Sequence, residues 1–187
     1  MVGQMWAPDS RQIVTFSDLQ LRATVWSLVE GKATAYIRNP KLLPPKGISI
    51  TKNKKFIAII ERREAKDWVS IYHTMGEWKM VNTFELDTFD AADISWCKED
   101  TSIMVYDSPL DAKILIFSAM TGACLTNMNL QNYSINAKYG DSSLALGIKF
   151  VSLSPNQYYA VASFFDTKIR LFNGISFKEI AALDHMT

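Results

Sequence analysis

Apolar and polar residues alternate in short runs along this 187-residue chain, and clusters of turn-forming residues interrupt them. The pattern is clearest from Leu153 to Phe172 (LSPNQYYAVASFFDTKIRLF). A turn at Ser154-Pro155-Asn156 leads into an alternating run at Tyr158–Ala162. A second turn through Phe165-Asp166-Thr167 leads into a run that closes on Leu171-Phe172. Aromatic and branched residues at every second position, on both sides of a tight turn, predict a β-hairpin half-buried in a sheet. The same outline recurs at Trp6–Trp26, Ile50–Tyr72 and Trp96–Phe117. Each stretch opens on a large apolar residue, turns on a polar cluster and closes on an aromatic.

The spacing points to one repeated unit. The opening residues Trp6, Ile50, Trp96 and Leu153 stand 44, 46 and 57 residues apart. The closing aromatics Trp26, Tyr72, Phe117 and Phe172 stand 46, 45 and 55 apart. Within each unit the two landmarks are 20, 22, 21 and 19 residues apart. A period of roughly 40–45 residues with several strands per period predicts propeller blades of the WD-repeat type. The expected fold is therefore all-β, a partial WD40-type propeller of about four four-stranded blades. The blades fall at approximately 1–43, 44–90, 91–131 and 146–187. An insertion loop at 132–145, within Gln131–Gly147, accounts for the last, longer spacing, and insertions in repeat folds tend to map to a binding face.

Two local expectations accompany this reading. Met1–Met5 carries no clear signal, so the first unit is expected to begin in mid-blade at Trp6. Arg62–Asp67 is expected to be a charged connector between strands. Four blades in an open arc would leave sheet edges and apolar faces exposed, so the chain reads as a portion or a shortened form of a longer protein.

Composition narrows the function class. No segment approaches the roughly 18–20 apolar residues of a membrane helix. The N-terminus shows no charged-then-apolar leader, so no signal peptide is expected. Cys97 and Cys124 are too few for a disulfide framework and fit a reducing compartment, with cytosol the expectation. His73 and His185 are too few and too far apart for a metal set. No Gly-rich phosphate loop or nucleophile elbow occurs, so neither a cofactor nor catalysis is expected. A net charge of +1 conceals an asymmetry. Residues 1–80 carry 13 Lys/Arg against 7 Asp/Glu, whereas 81–187 carry 7 against 12. The basic excess lies in 32–66 and the acidic excess in 81–111. Such blocks most simply form solvated strands and loops, and they can also steer different partners.

Trp6-Ala7-Pro8-Asp9-Ser10, Leu21–Leu28, Gly47–Thr51, Glu61–Ile71 (ERREAKDWVSI), Ile94-Ser95-Trp96, Lys113–Ser118, Leu146–Lys149 and Asp166–Asn173 carry a further signal. In content and order these segments resemble the WD-repeat family that acts at centrosomes and spindle poles. The chain resembles the middle portion of these longer proteins. The resemblance implies a non-enzymatic scaffold at centrosome, spindle pole or basal body. Its partner would be a coiled-coil protein, with which it would anchor microtubule minus ends and support spindle and cilium assembly. The alternatives are a generic WD40 protein-interaction scaffold and a phosphoinositide-binding propeller.

WD character also implies site residues. An Asp six residues before the closing aromatic bonds turn backbone in the usual repeat. Asp111 and Asp166 occupy that position before Phe117 and Phe172. With Trp26 and Tyr72 they are expected to be fold residues. Arg62-Arg63 resembles the paired arginines of phosphoinositide-binding propellers, but Glu61 and Glu64 flank it. A partner-facing surface is drawn from Arg62, Arg63, Lys66, Trp68, Trp78, Tyr133 and Tyr139, with the two tryptophans expected to flank one another across adjacent strands. Inter-blade packing is the more ordinary role for both, whereas exposed they would be binding anchors.

Overall fold

The computed structural model describes residues 3–130, 147–164 and 168–184. Within them are sixteen strands in four four-stranded antiparallel sheets. Sheet one holds β1 (Gly3–Trp6), β2 (Gln12–Phe16), β3 (Arg22–Ser27) and β4 (Lys32–Arg38). Sheet two holds β5 (Ile48–Ile50), β6 (Phe56–Arg63), β7 (Lys66–His73) and β8 (Met80–Glu85). Sheet three holds β9 (Asp93–Cys97), β10 (Ser102–Tyr106), β11 (Lys113–Ser118) and β12 (Cys124–Asn129). Sheet four holds β13 (Ile148–Leu153), β14 (Tyr159–Phe164), β15 (Lys168–Asn173) and β16 (Glu179–Asp184). Strands follow one another in sequence order across every sheet, which is the connectivity of WD blades.

Two expectations change. The first sheet is a complete four-stranded blade, because Gly3–Trp6 pairs with β2 from Gly3 opposite Phe16 to Trp6 opposite Ile13. Its Gly-Gln-Met-Trp sequence carries no branched residue, and pairing with β2 fixes it instead. Nor is Arg62–Asp67 a loose connector. The β6–β7 ladder runs out to Arg63 opposite Lys66, leaving Glu64-Ala65 as a two-residue turn. Both turn residues have positive φ, 49° and 63°, the pattern of a type I′ hairpin. The expected insertion at 132–145 lies outside the described residues.

The register repeats from sheet to sheet. Trp26, Tyr72, Phe117 and Phe172 each sit where the outer strand gains one unpaired residue. The extra residues are Thr34, Val81, Leu125 and Ile180. A bulge at one place in four ladders adds local twist next to the closing aromatic.

This common register defines two faces. Side chains in phase with the closing aromatic form face A, and those in phase with the residue before it form face B. In the first unit, Met1–Asp87 with Ala119–Gly122, face B of sheet one packs on face A of sheet two. Val14, Phe16, Val25 and Ile37 there meet Ile57, Ile59, Tyr72 and Trp78. In the second unit, Thr88–Ser118 with Ala123–Thr187, face B of sheet three packs on face A of sheet four. Met104, Tyr106, Ile114 and Ile116 meet Val151, Ala160, Ala162 and Phe172. Each fully buried aliphatic side chain contributes about 1.5–3 kcal/mol relative to exposure.

A glutamine ties each pair of sheets. Trp78 Nε1 donates to Gln12 Oε1 at 2.7 Å, and Gln12 Nε2 donates to the Gly76 carbonyl at 3.2 Å. In the second unit Gln157 Oε1 accepts from Glu99 N at 2.7 Å, and its Nε2 donates to the Trp96 carbonyl at 3.3 Å.

Candidate interaction surface

The β6–β7 hairpin carries most of the residues singled out from sequence, and two buried carboxylates organise it. Glu61 is 1% exposed and Asp67 is 2% exposed. A buried carboxylate needs charged or hydrogen-bonding partners, since the desolvation cost is otherwise several kcal/mol. Arg63 supplies them to Glu61, with Nε donating at 3.0 Å and Nη2 making a second contact with the same oxygen. Tyr72 OH donates to the other Glu61 oxygen at 2.8 Å. Arg63 Nη2 also donates to Ser70 Oγ at 2.8 Å, which lies 3.1 Å from Thr83 Oγ1. Burial, and then the neighbouring Glu61 charge, push the Tyr72 phenol above its ordinary pKa.

Asp67 is held by two cations from different segments. Lys41 Nζ donates to Oδ2 at 2.7 Å, and Arg62 Nε lies 3.0 Å from Oδ1. The connector after β4 reaches this hairpin through backbone bonds, Lys41 N to the Ile60 carbonyl at 2.8 Å and Arg62 N to the Asn39 carbonyl at 2.9 Å. Lys66, on the rim, pairs with Glu85, which raises the pKa of its ammonium through a hydrogen bond and its charge.

Arg62 and Arg63 are therefore partners of internal carboxylates, and their charge is largely neutralised where it sits. That geometry disfavours phosphoinositide capture by this pair. Trp68 lies on β7 with the Arg63 guanidinium 5.2 Å from its ring, a cation–π contact. Trp78 is 3% exposed and belongs to the core, so it offers no partner surface. Nor do the two tryptophans flank one another. Trp68 pairs with Glu85 near the start of β7, whereas Trp78 precedes β8 beside the far end of that strand. Tyr133, Tyr139 and Asp166 lie outside the described residues.

The turn-binding aspartate is also displaced from its expected place. Asp111 is partly exposed and pairs with Lys113 at 2.6 Å. Asp107, fully buried, is the residue that accepts from turn backbone. Its oxygens take Phe89 N at 2.7 Å, Asp90 N at 2.8 Å and Ser108 N at 2.8 Å. The closing aromatics Tyr72, Phe117 and Phe172 are 8%, 3% and 2% exposed, while Trp26 is 42% exposed.

Sequence reasoning missed one patch on the first unit. The β2–β3 turn puts Leu19 at φ 62°, and its side chain is 86% exposed. A bulky residue in the left-handed region costs about 1–3 kcal/mol, a cost typical of functional loops. Exposed Leu21 lies next to it, and Leu19, Leu21, Asn39, Lys41 and Arg62 line one shallow depression. Arg22 and Arg38 face each other across β3 and β4, with the Arg22 guanidinium 5.0 Å from the Tyr36 ring and Asp18 lining the same depression. Neither the Arg22–Arg38 pairing nor the backbone strain at Leu19 was legible in the sequence, because both depend on the strand register and the turn it sets.

Among the described residues, no group of three or more His, Cys, Asp or Glu side chains could hold a metal ion. Among the same residues, no helix is long and apolar enough to cross a membrane. No family model matches the chain. It is 31% identical over 185 residues, 99% of its length, to WD repeat-containing protein WRAP73 of Mus musculus. The chain spans 37% of the length of that relative.

Proposed function

Because the chain is similar over 99% of its length to a WD-repeat protein and folds into four blade-like sheets, we propose that it is a non-enzymatic binding scaffold of centrosomes, spindle poles and basal bodies, held there by a coiled-coil partner. In that setting it helps anchor microtubule minus ends and supports spindle and cilium assembly. The observation that carries the binding role is the exposed Leu19–Leu21 patch with Arg22 and Arg38 beside it. A coiled coil offers what such a patch recognises, apolar side chains flanked by acidic ones. Within each unit the packed sheets hold their loops in place, so several weak contacts act together.

The test is affinity capture of the tagged chain from dividing cells, beside a form extended to the length of its relatives and a Leu19→Ser/Leu21→Ser variant. Recovery of a coiled-coil pole protein by the parent, and its loss in the variant, is the expected result. Recovery only by the extended form would place the partner site elsewhere in the longer protein. If neither form reaches the poles, the generic protein-interaction scaffold is the reading that stands.

A further inference from the structure

Two loops of the second unit carry apolar side chains into solvent. Phe89, on the approach to β9, is 67% exposed, and Leu110, in the β10–β11 turn, is 58% exposed. A single exposed leucine is ordinary. These two residues differ in how firmly they are held, although the core of sheets three and four contains neither. Asp107, fully buried just after β10, accepts from Phe89 N at 2.7 Å, Asp90 N at 2.8 Å and Ser108 N at 2.8 Å. One carboxylate thus fastens the Phe89 segment to the turn that carries Leu110. The turn has closures of its own, Asp111 N to the Ser108 carbonyl at 3.1 Å and Gly147 N to the Pro109 carbonyl at 2.8 Å. Both apolar side chains therefore leave a backbone that is already ordered, which lowers the entropic cost of receiving a partner.

The charge around them is one-sided. Residues 88–93 and 107–113 hold four carboxylates, Asp90, Asp93, Asp107 and Asp111, against one cation, Lys113. Lys113 lies 2.6 Å from Asp111, so its charge is spent on that residue. Asp90 is exposed, and Asp93 and Asp111 are half-buried. The β2–β3 turn, at the same place in sheet one, has the opposite character. Its exposed Leu19 and Leu21 have Arg22 and Arg38 beside them, with Asp18 as the carboxylate of that depression. One position of the repeat presents apolar side chains in a basic setting in the first unit and in an acidic setting in the second.

We infer that the Phe89–Leu110 surface binds a segment of another protein in which apolar side chains are flanked by Lys or Arg. Phe89 and Leu110 receive the apolar side chains, and Asp90, Asp93 and Asp111 supply the opposite charge for the cations. The same carboxylates repel an acidic segment of the kind that suits the Leu19–Leu21 patch, so the surface discriminates as well as attracts. An aromatic anchor such as Phe89 is a residue type enriched in interface cores. The surface lies entirely within the second unit. This inference rests on neither the pole location nor the Leu19–Leu21 patch.

The test is fluorescence anisotropy of labelled synthetic peptides titrated with the full chain. The probes are an amphipathic Leu/Lys peptide, the same pattern with Glu in place of Lys, and a Ser/Lys peptide without the apolar residues. The Leu/Lys peptide is expected to bind, and the other two to bind at least about tenfold more weakly. Phe89→Ser/Leu110→Ser should weaken the Leu/Lys peptide by about tenfold or more. Asp90→Asn/Asp111→Asn should weaken it less and flatten its dependence on salt. Leu19→Ser/Leu21→Ser should leave its binding unchanged, which separates the two patches. Phe89→Ser and Leu110→Ser, each alone, repeat the test should the double variant lose its β circular dichroism. A Leu/Lys peptide that does not bind would overturn the inference. So would a Ser/Lys or Leu/Glu peptide that binds equally well, or binding by Phe89→Ser/Leu110→Ser at the parent's affinity.

Discussion

Glu61 in sheet two and Asp107 in sheet three occupy one position of the repeat, the residue after Ile60 and after Tyr106 in matching registers. Both carboxylates are buried, yet their partners differ in kind. Asp107 has a short side chain, and three backbone N–H groups converge on it, Ser108 from its own stretch and Phe89 and Asp90 from the segment before β9. Glu61 is one methylene longer and reaches back along face A to Arg63 and Tyr72. One position, with a side chain longer by one carbon, exchanges a backbone-clamping role for a side-chain network. The lesson is that side-chain reach, and not ladder position alone, selects which donors satisfy a buried charge.

The largest way to break this comparison is Arg63→Ala. It leaves Glu61 without its cation in a buried site, and the expected loss is about 3–5 kcal/mol, read as a fall in the urea midpoint. A Glu61→Leu/Arg63→Leu pair should recover most of that loss, since no uncompensated charge remains. Asp107→Ala comes next, at about 2–3 kcal/mol, because it orphans the amides of Phe89, Asp90 and Ser108. Asp107→Asn keeps one oxygen acceptor and should fall between that variant and the parent. Tyr72→Phe removes one hydrogen bond to a charged acceptor, and about 1.5 kcal/mol is expected by the same titration.

Alkaline titration separates the two sheets further. Burial pushes the Tyr106 phenol of sheet three up from 10.0 to about 12, with Asp93 adding to the shift. Cys97 rises from 9.0 to about 12, also by burial. In both cases the folded state favours the protonated form. Its contribution is therefore complete below the unfolded values and is lost as pH rises from about 9 through about 12. Thermal melts across that range should fall steadily, and Tyr106→Phe should flatten the upper part of the fall. The smallest effect belongs to Asp111→Ala. Its partly exposed pair with Lys113 contributes no more than about 0.5–1 kcal/mol, well short of Asp107→Ala in the same melts.

Much of the fold was legible in advance because it is periodic. Alternating runs, turn clusters and closing aromatics place the hairpins of all four sheets, and the repeat spacing shows that they are one unit repeated. What escaped was non-periodic. Gly3–Trp6 is a strand because β2 pairs with it, not because its sequence prefers to be one. The six-residue spacing pointed to Asp111, but burial and three converging amides single out Asp107. Trp68 and Trp78 look alike in the sequence. One stacks beneath a guanidinium, and the other is sealed in a core by a glutamine from another sheet.

The sequence alone determined the strand pattern, the repeat and the WD-type blade, since these depend on local period and on residues recurring at fixed offsets. Only the tertiary structure decided which face of each sheet is covered and which arginines are already paired. It also decided which buried carboxylate holds backbone and which holds side chains. Those outcomes depend on distances between residues far apart in the chain, and hydrophobic alternation is the same on a covered face as on an open one.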